Sequence, residues 1–166
     1  MKKSNKRTRA TSFNREVVAV LHNIRSAHNV GSMFRTADGA GIKKLYLCGI
    51  TPTPTDRFGR ERSDFKKVAL GADVSWEYQK SAITLIKKLK KGGYKIFAVE
   101  QSERSVSYAQ SFKEKRIVLV VGNEVSGIPA TILKHADKIL EIPMRGSKES
   151  LNVSVAFGIV AYHFSS

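Results

Sequence analysis

Acidic residues are scarce in this sequence: 14 Asp and Glu stand against 29 Lys and Arg, which leaves a formal charge of +15 on 166 residues. That imbalance points to a polyanionic partner. Nucleic acid is the commonest, because each neutralised phosphate releases condensed counterions. An anionic membrane is the rival, but no stretch of about 18 apolar residues is present to span one. The segment Met1 to Asn14 is basic and polar, without the apolar core of a signal peptide, so a cytoplasmic location with no membrane association is expected. Cysteine is reduced to Cys48, which rules out an internal disulfide, and no Cys and His residues fall at zinc spacing, so no metal is expected. Set in the apolar run Leu45-Tyr46-Leu47-Cys48, that thiol reads as a small buried hydrophobe rather than a nucleophile. Phosphate-cradling loops are missing too: the spacing from Gly122 to Gly127 does not make G-x-G-x-x-G, and no Lys-Ser or Lys-Thr follows. Dinucleotide and nucleoside triphosphate chemistry are thereby disfavoured.

What is present suits one domain, since a chain of this length buries roughly 70% of the surface it exposes when unfolded. Residues 1 to 15 hold Lys2, Lys3, Lys6, Arg7, Arg9 and Arg15 with no acid, the composition of a flexible basic arm that either contacts RNA or merely solubilises. From residue 16 onward, short apolar runs of the kind covered on both faces recur at Val17 to Leu21, Lys44 to Cys48, Lys95 to Val99, Ile117 to Val121 and, more weakly, Lys138 to Ile142. Helical patterns lie between them. The clearest is Ser81 to Lys91, with Ser81 as cap, Leu85, Ile86 and Leu89 as apolar stripe and Gly92-Gly93 as stop. This alternation predicts an α/β fold with a mostly parallel sheet flanked by helices, and a ligand at the carboxyl ends of the strands. Thr51 to Lys67, with Pro52, Pro54 and mixed charges, reads as a mobile surface loop.

Three segments carry polar groups that a core does not need. The first, His22 to Gly39, follows the first strand; Asn29 is placed to cap a helix with apolar face Val30, Met33, Phe34 and Ala37. Arg35 falls roughly 150° from that stripe and must point to solvent, a cleft or a partner chain. The second segment, Ile117 to Pro129, is a strand running into Gly122-Asn123-Glu124-Val125-Ser126-Gly127-Ile128-Pro129, where the glycines let a ligand approach the backbone. Taken alone, Glu124 would simply bind amides of the turn. The third, Ile142 to Ala156, leads into a helix apolar nearly all round, with Ser150 as its natural cap and Asn152 inside it, a buried amide in need of a partner.

In this order, the three segments resemble the three motifs of the SpoU/TrmH branch of the knotted SPOUT methyltransferases. The matching strings are Asn-x5-Arg-Thr-Ala from Asn29, Gly-Asn-Glu-x-x-Gly-Ile-Pro from Gly122 and Ile-Pro-Met-x-Gly-x-x-x-Ser-Leu-Asn-Val-Ser-Val from Ile142. The resemblance covers about residues 16 to 164, including Lys67 to Ala72 and Trp76, and marks 16 to 166 as a methyltransferase domain. It implies a C-terminal trefoil knot, S-adenosyl-L-methionine as cofactor, a homodimer with sites near the subunit interface, and methyl transfer to a ribose 2′-hydroxyl of tRNA or ribosomal RNA. By the same resemblance Arg35 is the catalytic arginine, Asn29 and Glu124 are site-forming polar groups, and Ser150 and Asn152 organise RNA and the cofactor loop. Gly122, Asn123, Glu124, Ile142, Met144, Ser150 and Leu151 are the implied cofactor contacts. Two alternatives remain at this point: a basic RNA-binding protein without catalysis, and a related knotted enzyme that methylates a base.

Overall fold

The computed structural model describes residues 15–165. Most of the expected basic arm therefore lies outside the described residues. Its last member, Arg15, donates to the carbonyl of Phe112, and its guanidinium lies 5.9 Å from the centre of the Phe164 ring.

Among the described residues, seven strands form one sheet in the order β3-β2-β1-β6-β4-β7-β5, and every pairing is parallel. The strands are β1 (Glu16–His22), β2 (Lys44–Cys48), β3 (Ser75–Gln79), β4 (Lys95–Val99), β5 (Val106–Ser107), β6 (Arg116–Val121) and β7 (Lys138–Glu141). All five apolar runs read from the sequence are strands. The two that lack such runs, β3 and β5, lie at the sheet's edges, where covering on both faces is not required.

Alternation of side chains divides the core into two layers. Val17, Ala19 and Leu21 of β1 join helices α1 (Ala27–Ala40), α2 (Ser63–Ala69) and α5 (Val153–Ser165) on one face. Val18 and Val20 join α3 (Ala82–Lys91) and α4 (Ala130–Leu133) on the other. Cys48 is fully buried in this second layer, and burial pushes its thiol pKa up to about 12, which removes it from nucleophilic chemistry near neutral pH. Helix α3 is capped at Ser81, whose hydroxyl accepts from the Thr84 N–H, as expected.

Three local expectations need correction. Within Thr51 to Lys67 the chain is not loop throughout, because α2 begins at Ser63; its start at Arg62 has no side-chain cap, so the usual entry signal is missing. Helix α1 is capped by Ser26, which accepts from the Asn29 N–H, and Asn29 sits inside the first turn. Helix α5 begins at Val153 rather than near Ser150, and its first turn is satisfied by Asn152: the side-chain oxygen accepts from the Ser154 N–H at 2.8 Å, and the carbonyl accepts from Val155 and Ala156. Asn152 is accordingly exposed at the helix entrance, not buried within it.

Candidate functional site

A parallel sheet delivers the carboxyl ends of all its strands to one edge, and there β1, β2, β4, β6 and β7 each release a loop. These loops are stitched together by buried and half-buried polar groups. Thr51, just after β2, is 3% exposed; its hydroxyl shares its one proton between the carbonyls of Leu21 and Cys48, each at 2.8 Å, and accepts from the Ile24 N–H. The Asn23 side-chain oxygen accepts from the Ile50 N–H, and its carbonyl accepts from Asn123 Nδ2 at 2.8 Å. Asn123 in turn folds the next loop, accepting from the Val125 and Ser126 N–H groups.

Glu124 closes the arrangement. One carboxylate oxygen accepts from the Arg25 N–H at 2.9 Å, and the other accepts from the Ser26 N–H and Asn29 Nδ2, both at 3.0 Å. Helix α1 has no acid in its own first turn, so Glu124 supplies from the loop after β6 the anion that a helix N-terminus favours. Asn152 Nδ2 then donates to Asn29 Oδ1 at 3.3 Å, so residues from all three polar segments meet in one network. Burial raises the Glu124 pKa, but the Arg25 N–H, the Asn29 amide and the Ser26 N–H outweigh it and hold the carboxyl below its ordinary 4.5. Because the folded value is depressed, the contribution to stability is complete above about pH 4.5 and is lost as pH falls through the folded value.

Beside the network opens a cleft of about 690 Å³, a volume suited to a cofactor-sized ligand. Gly122, Asn123, Glu124, Ile142, Met144, Ser150, Leu151 and Asn152 all line it. Its apolar wall of Leu133, Leu140, Ile142, Leu151 and Ala156 suits an aromatic base, and Glu124 adds a carboxylate to the lining. Asn29 is not in the lining and acts through Glu124 and Asn152. Arg35 is not in the lining either: it is exposed on α1, six residues and about 9 Å beyond Asn29 along the axis, while Val30, Met33, Phe34 and Ala37 are buried as the sequence implied.

Gly122 is required by space. A Cβ there would lie 2.5 Å from the carbonyl carbon and oxygen of Gly127 and 2.7 Å from the Ile128 side chain. Gly127 itself has φ of +67°, and a Cβ on it would strike Glu100. Gly122→Ala is therefore expected to lower stability by about 1 to 3 kcal/mol and to weaken cofactor binding by tenfold or more, read by thermal melting and calorimetry. Unchanged values in both would show that the turn is not constrained by this contact.

Sequence reasoning overlooked two residues of the site. Thr51 looked like the start of a loop. Glu100 follows β4 directly, accepts from the Ile128 and Gln101 N–H groups and lines the cleft; its position at a strand's carboxyl end was the available signal. Gln101 adds a tie from that loop to the Glu149 carbonyl at 2.6 Å.

The sheet and its cleft define a parallel α/β domain with a small-molecule site at the carboxyl edge, walled by the loops after β4, β6 and β7. The chain belongs to the SpoU rRNA Methylase family, whose model matches residues 16–162. It is 32% identical over 156 residues to the tRNA (guanosine(18)-2'-O)-methyltransferase of Aquifex aeolicus, covering 89% of this chain and 68% of that one. Identity to the 23S rRNA (guanosine-2'-O-)-methyltransferase RlmB of Escherichia coli is 31% over 153 residues, covering 91% and 60%. The crystal structure of an AdoMet-bound rRNA methyltransferase from Sinorhizobium meliloti superposes with a TM-score of 0.80 at 27% identity, covering 89% of this chain and 55% of that one. This chain thus spans roughly two thirds or less of the length of those proteins.

Proposed function

We propose that this chain transfers the methyl group of S-adenosyl-L-methionine to a ribose 2′-hydroxyl of tRNA or ribosomal RNA. The observation that carries this reading is the joining of the three polar segments, through Glu124, Asn29 and Asn152, beside a cleft of cofactor size. Bound there, the cofactor supplies an electrophilic methyl on a positively charged sulfur. Gly122, Ile142, Met144 and Leu151 would hold it against the loops, with Asn123 and Glu124 fixing the turn beside it and Ser150 and Asn152 ordering ribose and phosphate at its mouth. A ribose hydroxyl is a poor nucleophile, so the remaining need is alignment and stabilisation of negative charge on the attacking oxygen. Arg35 meets it as an electrostatic clamp on phosphate and oxygen, the proton leaving to water or a nearby acceptor, because guanidinium stays charged in proteins.

The protein acts in this reading as a cytoplasmic homodimer, with residues 16 to 166 as the methyltransferase domain and the basic residues 1 to 15 as an RNA contact. Support for the dimer comes from α5 and the segment just before it: Leu151 ahead of the helix, and Val155 and Tyr162 on it, expose apolar surface at 37%, 50% and 54%. Helix α1 runs alongside: a Cβ on Gly158 would lie 3.7 Å from Thr36, and one on Gly39 only 2.7 Å from the Tyr162 hydroxyl. Arg35, next to Thr36, borders that surface, so a second copy would bring its own Arg35 to the cleft. For the trefoil knot, support comes from the insertion of β7 between β4 and β5, and from the ties of the Glu100-Gln101 loop to both Ile128 and Glu149.

The test is calorimetric titration with S-adenosyl-L-methionine, followed by methylation of tRNA and ribosomal RNA transcripts and nucleoside analysis of the digest. Saturable binding and 2′-O-methylated nucleosides are expected. Methylated bases would favour the related base-modifying branch, and no cofactor binding by the folded protein would leave an RNA-binding protein without catalysis.

A further inference from the structure

The loop between β2 and α2 exposes an aromatic ring that the core does not use. Phe58 is 66% exposed, and two guanidinium groups lie over its ring, that of Arg57 at 4.7 Å and that of Arg60 at 5.1 Å from the centroid. The display is built into the loop. Asp56 accepts from the N–H groups of Phe58 and Arg60 and from the Arg60 side chain, all within 3.0 Å, while a bridge between Thr55 and Glu61 closes the base. Gly59, at φ of +77°, turns the chain without strain, and the Arg62 N–H donates to Pro54.

Its place on the sheet matters equally. The loop springs from the carboxyl end of β2, on the same edge as the cleft, and Thr51 fixes its root to the loop after β1. Two strand spacings, about 10 Å, separate β2 from β6 and its Gly122-to-Gly127 turn. Arg60 is neutralised by Asp56, whereas Arg57 makes no ion pair among the described residues and keeps its charge for an outside anion.

We propose that Phe58, with Arg57 and Arg60, forms a stacking platform for an unpaired nucleobase beside the nucleotide to be methylated. An exposed aromatic ring with guanidinium planes over it is the chemistry by which unstacked RNA bases are held, the base stacking on the ring or on a guanidinium, and it tolerates any base because each has a π-face. The pre-ordered loop lowers the entropy lost on binding. This proposal rests on the reading that RNA is the substrate.

Phe58→Ala is expected to weaken RNA binding roughly tenfold and to raise KM for RNA by a similar factor, with kcat at saturating RNA and S-adenosyl-L-methionine affinity unchanged. Phe58→Trp should restore binding and Phe58→Leu should not, which separates stacking from burial of apolar surface. In a Trp76→Phe background, the Phe58→Trp protein carries one tryptophan, and its fluorescence should be quenched on adding RNA with unpaired bases but not a fully paired duplex. Unchanged affinity in Phe58→Ala, or no quenching at saturating RNA, overturns the platform. So does loss of the dimer in Phe58→Ala, which would assign the ring to a protein interface. Cofactor binding and methylation by the wild-type protein, measured alongside, report separately on the enzyme reading.

Discussion

Truncation of Arg35 to alanine is expected to leave fold and cofactor affinity in place while turnover falls by roughly 100 to 1,000 fold. The stability half follows from burial: the side chain lies on the exposed side of α1, opposite Val30, Met33, Phe34 and Ala37, and leaves no cavity when removed. The chemical half follows from the proposed role of Arg35 as the preorganised charge beside the developing oxyanion. Arg35→Lys should recover little, because an ammonium does not reproduce a planar fork able to grip two oxygens. Single-turnover methylation of bound RNA, with melting curves and cofactor titrations of the same proteins, checks each part. Near-normal turnover would remove Arg35 from the mechanism. Since Arg35 does not line its own chain's cleft, co-expression with Gly122→Ala gives a sharper test. If each arginine serves the other subunit, a mixed dimer regains one intact site, and a statistical mixture recovers about a quarter of wild-type activity. If each serves its own chain, co-expression adds nothing beyond the summed activities of the two variants, both read at S-adenosyl-L-methionine well below the level that saturates Gly122→Ala.

The second large effect is expected at Glu124. In Glu124→Gln an amide replaces one acceptor, so a donor is turned toward the N–H groups of Arg25 or Ser26 or the amide of Asn29. Losing hydrogen bonds to a charged acceptor costs about 1.5 to 3 kcal/mol, equivalent to roughly a 10- to 100-fold loss in cofactor affinity if the clasp shapes the cleft. The wild-type protein should show the same loss as pH falls through the carboxyl's folded value, which lies below its ordinary 4.5, and the glutamine variant should not. Calorimetry on both proteins at pH 7 and at a series of lower pH values, down to where the folded carboxyl takes its proton, tests the pair of statements. Equal affinity of the two proteins at pH 7 would reduce Glu124 to a surface acid.

Strands buried on both faces were legible because apolar β-branched runs have few other uses, and all five emerge as strands. Strand β3 was not, since Ser75–Gln79 carries Trp76 and Tyr78 at a partly exposed edge and contains no continuous apolar run. Helix α2 escaped notice for a related reason: seven residues rich in charge, entered from an uncapped arginine, resemble a loop. The caps of α1 and α5 were each misplaced by two or three positions because Ser, Asn and Ser again stand close together and any of them could accept the first N–H groups. The polar segments themselves could be recognised as strings of residues, but their meeting could not. Asn29, Glu124 and Asn152 are separated by 95 and 28 positions, and only the sheet order brings them within hydrogen-bonding distance. Thr51 was invisible for the same reason, its partners lying remote along the chain, and Glu100 offered only its place at the carboxyl end of β4 as a signal.

The position of β6 next to β1 has a consequence for the birth of the protein. Glu16 pairs with Arg116, so an early strand waits for one synthesised about a hundred residues later. Until then β1 has β2 along one side and an open ladder along the other, and the β4–β7 seam waits longer still. At ribosomal speeds of about 5 to 20 residues per second, that interval amounts to several seconds in which unpaired backbone is on offer. A sheet whose centre closes late folds slowly and presents a template for wrong partners in the meantime. Nascent chains stalled between residues 50 and 115 are thus the species in which chaperone engagement or self-association should concentrate.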